Sequence, residues 1–291
     1  MLTTPKEEEW IEILRKASNA GEKAISENYN LESRTKVVKK GFGGDMTLEI
    51  DEASEKAIHD SLDSDLGAES YIFVSEEIGE VKESSKSAKP IVLCDPLDGS
   101  HNAQVGIPLF SISLSVIGLA RRILPNEARH FGDVDLGLVR NICSHDEYYA
   151  IKGAGAFHNL TRINRPDSEG ERLETLGIEC GDVDLLKDIL SKLSSKQVYK
   201  VRVLGSAAIS YCLLAAGTFK GFIFAQPGGA RTIDSPAGYL IAREAGCVFQ
   251  DLSGKSGSID SVEVGFESRI NLAGAIDDSS LSKLTRMVGK L

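Results

Sequence analysis

The stretch Ile91-Val92-Leu93-Cys94-Asp95-Pro96-Leu97-Asp98-Gly99-Ser100 constrains this 291-residue chain more than any other. Four consecutive apolar residues read as a buried strand, and the run then breaks into two carboxylates three positions apart. Pro96 fixes its own backbone and biases Asp95 away from helix, so a turn is expected to end the strand there. Two acids at the mouth of an apolar strand repel each other and resist desolvation unless cations neutralise them. Gly99 allows close approach of the backbone to a ligand, and Ser100 adds a hydroxyl beside freed amides. This chemistry suits a hard metal ion next to a phosphate.

Composition removes several alternatives. A net charge of −10 argues against nucleic acid and anionic membranes as partners, because both require basic patches. Five cysteines (Cys94, Cys143, Cys180, Cys212, Cys247) form no CxxC pair, which excludes a zinc knuckle or disulfide framework and fits a reduced, cytoplasmic setting. The polar, acidic start, Met1 to Trp10, is no signal peptide. The longest uncharged run, Val203 to Phe219, is short for a membrane span and is broken by Gly205, Ser206 and Ser210, so a buried helix is expected.

Along the chain, Trp10, Ile13, Leu14, Ala17, Ala24 and Ile25 recur at helical spacing. A second helix is predicted from about Thr47 to Leu62, with Asp51 and Glu55 together on its polar side. Tyr71–Ser75 reads as a strand ending in Glu76-Glu77, and Ser84–Lys89 as a polar loop. Strands of a partly covered sheet are expected in Ile107–Leu119 and Val134–Cys143, with a hairpin around Lys152-Gly153-Ala154-Gly155. The second half alternates strands (Leu173–Cys180, Val198–Leu204, Phe219–Phe224, Cys247–Gln250, Asn271–Ile276) with helices (Val183–Leu193, Ser206–Ala216, Pro236–Ala245, Leu281–Val288). This mixture predicts an α+β fold of layered helices with mixed and antiparallel sheets, not a purely parallel doubly wound one.

Glu76, Asp95/Asp98 and Asp234 all stand at predicted strand ends or strand-to-helix junctions. Magnesium takes oxygen ligands and keeps waters, so few carboxylates suffice; a pair of such ions can activate a water and stabilise a leaving oxygen. The residues Gly44-Asp45-Met46-Thr47-Leu48-Glu49-Ile50-Asp51, Glu76-Glu77, Asp95-Pro-Leu-Asp-Gly-Ser100, Arg202-Val-Leu-Gly-Ser206 and Ile233-Asp234-Ser-Pro-Ala-Gly238 then follow one another in the order and spacing of a known family. Over Lys40 to Ala275 the chain resembles the inositol monophosphatase / fructose-1,6-bisphosphatase superfamily, and in particular its archaeal dual-specificity branch.

The resemblance implies a layered α-β-α-β-α sandwich of the sugar-phosphatase type, a homodimer, and two or three Mg²⁺ per active site. Glu76, Asp95 and the carbonyl of Leu97 would hold one ion; Asp95, Asp98 and Asp234 a second; Glu76 with waters a weaker third. Asp51 and Ser100 match the pair that orients the attacking water, with Glu76 sharing in catalysis. Gly99 and Ser100 would cradle the phosphate, and Lys40 would offset negative charge nearby. Arg202 and Arg231 would meet a second phosphate or sugar hydroxyls, and Gly205-Ser206 would bind substrate where they precede a helix whose free amides donate to it. Residues 1–140 would carry most metal ligands and the water-orienting pair; residues 141–291 would carry Asp234 and the substrate pocket, both within one compact unit. Ile233, Ser235-Pro236, His101 and Ala103 depart from the family pattern, and Gln226 to Ala230 contains no acid where animal members use a glutamate on inositol hydroxyls. These departures bear on substrate choice and spare every metal ligand.

The implied activity is Mg²⁺-dependent phosphomonoester hydrolysis by metal-activated water, with inositol 1-phosphate as first substrate and fructose 1,6-bisphosphate as second. The alternatives are a 3'-phosphoadenosine-5'-phosphate phosphatase of the same superfamily and a non-hydrolytic sugar-phosphate-binding protein. Other phosphatase chemistries fit poorly. No cysteine is followed by arginine in a Cys-x5-Arg loop, since Ser100, Tyr149, Leu186, Thr218 and Ser253 stand six positions on. Asp133-Val-Asp135 and Asp182-Val-Asp184 begin like a haloacid-dehalogenase motif but end in Gly137 and Leu186.

Overall fold

A computed structural model describes residues 6–42, 46–80, 88–124, 127–164, 172–254 and 257–291. The Gly44-Asp45 part of one motif and most of the loop expected at Ser84–Lys89 lie outside them. Among the described residues eight helices form: α1 (Glu7–Asn28), α2 (Leu31–Thr35), α3 (Glu49–Leu66), α4 (Ser100–Val105), α5 (Val183–Lys192), α6 (Ala207–Ala215), α7 (Pro236–Glu244) and α8 (Asp278–Val288).

The first strands are β1 (Val37–Lys40), β2 (Met46–Leu48), β3 (Ile72–Ser75), β4 (Gly79–Glu80), β5 (Ile91–Asp98) and β6 (Ser111–Ile117). They are followed by β7 (Val134–Asn141), β8 (Glu147–Ile151), β9 (Gly155–His158), β10 (Thr161–Arg162), β11 (Leu173–Glu179) and β12 (Val198–Arg202). The chain ends with β13 (Gly221–Phe224), β14 (Ala230–Arg231), β15 (Val248–Asp251), β16 (Arg269–Ile270) and β17 (Leu272–Ala275).

One sheet has the order β10-β9-β8-β7-β6-β5-β3-β4, antiparallel except for the parallel pair β3–β5. The other has the order β12-β11-β13-β17-β15, in which β11 runs parallel to both neighbours and the remaining pairs are antiparallel. The first sheet continues through Arg162, past the division expected at residue 140, because β7 and β8 are partners in one antiparallel hairpin.

Alternation along β5 explains the stacking. Val92 and Cys94 face a core built with Trp10, Leu14, Ile50, Ile58 and Leu62 of α1 and α3. Ile91 and Leu93 face the opposite core, which holds Ala208, Tyr211 and Leu214 of α6 and Leu240 and Ile241 of α7. The far face of the second sheet packs Ile178 and Ala273 against Ile189 of α5 and Leu281 and Leu284 of α8. The result is the expected α-β-α-β-α sandwich, whose central helices α6 and α7 serve both sheets. A strand covered on both faces must read as continuously apolar, as Ile91–Cys94 does.

Two local expectations are corrected. The strand does not stop at Pro96: β5 continues to Asp98 across a register shift between Asp95 and Asp98. Proline lacks a backbone donor, and a bulge is where a strand tolerates that lack. Asp51 and Glu55 do not lie on a solvated helix face but are buried, at 2% and 3% exposure, because the N-terminal half of α3 packs against the ends of β3 and β5.

Candidate active site

The C-terminal ends of β3 and β5, the first turns of α3, α4 and α6, and the turn before α7 open onto one cavity of about 610 Å³. Its lining brings together Asp51, Glu76, Glu77, Asp95, Leu97, Asp98, Gly99, Ser100, Gly205, Arg231 and Asp234 from the sequence motifs. Met46 and Val203 of the same motifs join them, as do Gln226, Gly229 and Ala230 of the acid-free stretch; Glu179, Cys180, Gly181, Ala207 and Phe224 carry no site expectation. Among the described residues the lining holds seven acids and one cation, Arg231. Arg231 pairs with Glu76 through Nη2 and with Asp234 Oδ2 through Nε at 3.3 Å.

Burial dominates the electrostatics. It pushes the Asp95 carboxyl well above the ordinary range, and Glu76, Asp98 and Asp234 push it further, so the four acids feel one another across one pocket. Burial likewise raises Asp51 to about 7; the amide of Leu48, donating to Oδ2 at 2.6 Å, opposes this, while Glu77 and Glu55 reinforce it. Among the described residues Asp51 Oδ1 is buried without a hydrogen-bond partner, so it accepts nothing from Ser100.

Asp98 is also pushed up by burial, against four donors. Ser111 Oγ (3.0 Å), Ser206 Oγ and the Ala208 amide (3.2 Å) donate to Oδ2, and the Ala207 amide (3.1 Å) donates to Oδ1. A carboxylate oxygen offers two lone pairs, so Oδ2 is saturated while Oδ1 retains one direction for a further partner. These bonds use the amides that lead into α6, and the Gly205 amide donates to Glu179 Oε2 at 2.9 Å. The free amides of that helix, expected to donate to the substrate, are therefore spent inside the protein: Ala207 and Ala208 on Asp98, and Ile209 on Ser206 Oγ at 3.4 Å. Glu179 closes β11 as the same kind of strand-end acid as Glu76, a signal legible in the sequence.

Gly99 adopts φ 85° as it leads into α4, and a Cβ there would stand 3.1 Å from the carbonyl oxygens of both Gly205 and Leu109. Only glycine permits that turn and that approach together. Two expected substrate residues fall elsewhere. Arg202 is exposed, donates to its neighbour's carbonyl at Val201 O (2.9 Å) and is absent from the cavity lining. Lys40 is exposed on β1 and likewise outside the lining. Both end short strands that are exposed along most of their length.

Among the described residues the charged groups of the lining are seven carboxylates against one guanidinium, an excess of oxygen ligands that fits hard divalent cations. Among the described residues no three acids, histidines or cysteines are drawn tightly enough to close a shell around one ion, and Arg231 lies between two of the acids.

The profile of the inositol monophosphatase family matches residues 6–284. The chain belongs to this family. It is a phosphatase family whose members are generally metal-dependent. A fructose-1,6-bisphosphatase/inositol-1-monophosphatase of Archaeoglobus fulgidus is 31% identical over 92% of this chain and 94% of its own length. A bifunctional NADP phosphatase/NAD kinase of Methanococcus maripaludis is 30% identical over 82% of this chain, which spans only 43% of that longer protein. The crystal structure of the extragenic suppressor protein suhB from Bartonella henselae superposes with TM-score 0.76 at 24% identity, covering 96% of this chain and 98% of that one, and shares the fold. Among the described residues no helix is long and apolar enough to cross a membrane.

Proposed function

We propose that this member of the family is a Mg²⁺-dependent phosphomonoesterase acting on a small polyol or sugar phosphate, with inositol 1-phosphate the first substrate. One observation carries the reading: among the described residues, acids at the ends of β3, β5 and β11, in α3 and in the turn before α7 share a cavity with a single cation. A phosphate ester cannot enter so negative a pocket unless cations accompany it. Glu76, Asp95, the Leu97 carbonyl, Asp98 and Asp234 are the groups that would hold Mg²⁺. When bound, Mg²⁺ neutralises the charge of the phosphate and the leaving oxygen and acidifies water.

The chain's own residues do the rest. Asp51 presents an unpartnered, buried Oδ1 to the cavity, suited to take a proton from water. Ser100, at the start of α4, supplies a hydroxyl within the same cavity to orient that water. Arg231 is the cation positioned to meet a phosphate oxygen once its carboxylate partners turn to metal. Apart from Glu179, Arg231 and Asp234, the wall contributed by the second half (Cys180, Gly181, Val203, Phe224, Gln226, Gly229 and Ala230 among it) carries no charge. With Arg202 and Lys40 outside, a second phosphate on the substrate meets little compensation, which favours a monophosphate over fructose 1,6-bisphosphate.

A second reading, a nucleotide 2'- or 3'-phosphate as substrate, draws support from the relative named an NADP phosphatase and from the apolar surfaces of Val203 and Phe224 in that wall. Phosphate release from inositol 1-phosphate, fructose 1,6-bisphosphate, NADP and 3'-phosphoadenosine 5'-phosphate, with Mg²⁺ or with chelator, separates these readings. The first predicts the highest kcat/KM on inositol 1-phosphate. No release from any ester at any Mg²⁺ concentration would leave the binding-protein alternative. A cytoplasmic homodimer is proposed on the family resemblance, with light scattering after size exclusion as its test.

A further inference from the structure

Glu179 is 6% exposed, lines the cavity, and has no place in the reading above. Its carboxylate accepts three hydrogen bonds: from the Gly205 amide at Oε2 (2.9 Å), and from the Leu204 amide (3.3 Å) and Ser210 Oγ (2.6 Å) at Oε1. The Leu204–Gly205 turn it grips is held from the other side by Asn102 of α4. Asn102 Nδ2 donates to Leu204 O at 2.7 Å and to Leu109 O at 2.9 Å. The turn therefore has its amides fixed by one side chain and a carbonyl by another. Its next residues, Ser206, Ala207 and Ala208, supply three of the four donors that orient Asp98.

We propose that Glu179 is a positioning residue: by clamping the Leu204–Gly205 turn it sets the donors on Asp98 and keeps Asp98 Oδ1 directed to the metal. The inference rests on the reading of Asp98 as a Mg²⁺ ligand. A carboxylate is required because three donors converge on two oxygens, whereas a glutamine would present an NH2 group to one of them. The Gly205 carbonyl already lies against Gly99, so the turn has little freedom to compensate on that side. A group in this position explains why a further acid is retained in a cavity already crowded with them.

The test is Mg²⁺ affinity by isothermal titration calorimetry on the full chain, with no substrate present, alongside the thermal midpoint. Glu179→Gln should weaken Mg²⁺ binding by roughly tenfold, the lower end of what loss of an outer-shell partner does to a metal site. The Mg²⁺ concentration giving half-maximal kcat should rise in step, and excess Mg²⁺ should restore kcat without changing KM for the phosphate ester. A folded Glu179→Gln protein with wild-type Mg²⁺ affinity would overturn the proposal. Should that variant fail to fold, Asn102→Ala, which frees the same turn from its carbonyl side, must weaken Mg²⁺ binding too; unchanged affinity there is equally fatal. Asp98→Asn separates the two ideas. If it leaves Mg²⁺ affinity intact, the ligand reading fails; if it weakens binding while Glu179→Gln does not, only the positioning role fails.

Discussion

The backbone amide of Ala207 donates to Asp98 Oδ1 at 3.1 Å, joining the last residue of β5 to the first turn of α6. One carboxylate thus ends a strand of the first sheet and accepts from the first two amides of a helix that packs between both sheets, whose N-cap is Ser206.

Asp98→Ala removes an acceptor from two hydroxyls and two amides. Ser206 still caps α6, so the cost is that of the stranded buried donors, about 1–3 kcal/mol. Urea denaturation with chelator present checks this. An unchanged midpoint would mean that water replaces the carboxylate at no cost.

Asp95→Asn should act in the opposite direction on the metal-free protein. It removes a charge that burial and three neighbouring acids oppose, so the thermal midpoint in chelator should rise by about a few degrees. The stabilisation that Mg²⁺ confers on the wild type should vanish in the same variant. A lower midpoint in chelator would show that Asp95 is held by favourable partners, contrary to the like-charge account.

Ser100→Ala should leave the fold intact and lower kcat by roughly 10²–10⁴-fold, the range for lost help in proton transfer. Steady-state kinetics at saturating Mg²⁺ decide it. An unaltered kcat would remove Ser100 from the chemistry.

Arg202→Ala should change KM equally little for mono- and bisphosphate substrates, because its guanidinium lies outside the cavity on the Val201 carbonyl. Arg231→Ala should raise KM for both. A selective loss of bisphosphate binding in Arg202→Ala would require Arg202 to turn inward when substrate binds.

Metal-free stability should fall as pH rises from about 4 to 7. Burial raises Glu179 from 4.5 and Asp51 from 3.8, each to about 7. Over that interval the folded chain keeps protons the unfolded chain has released, so rising pH favours unfolding. The dependence should flatten in Glu179→Gln and in Asp51→Asn. Midpoints recorded with chelator at intervals from pH 4 to 8 give the sign directly, and a rise with pH would contradict it.

Much of this was legible in the linear chain. Unbroken apolar runs such as Ile91–Cys94 and helical spacing from Trp10 to Ile25 reflect burial that local periodicity records. Strand-end acids at Glu76, Asp95, Asp98 and Asp234 could be found one by one, because a charge at the end of an apolar run is a local anomaly. Their union in one cavity follows from the stacking of layers. Short α4, directly after Ser100, escaped notice since six residues give too little periodicity to detect.

The sequence by itself determined the layered fold class and the identity of the acidic groups, since both are written in side-chain type and spacing. Only the tertiary structure decided what those groups and their neighbours are free to do. Hydrogen-bond capacity is finite, and contacts between residues 26 to 110 positions apart consume it: Ser206 and the α6 amides serve Asp98, and Gly205 serves Glu179. Arg202 faces away from the cavity. Sequence spacing cannot reveal which donors a fold has already paired, because pairing depends on which layers meet in space.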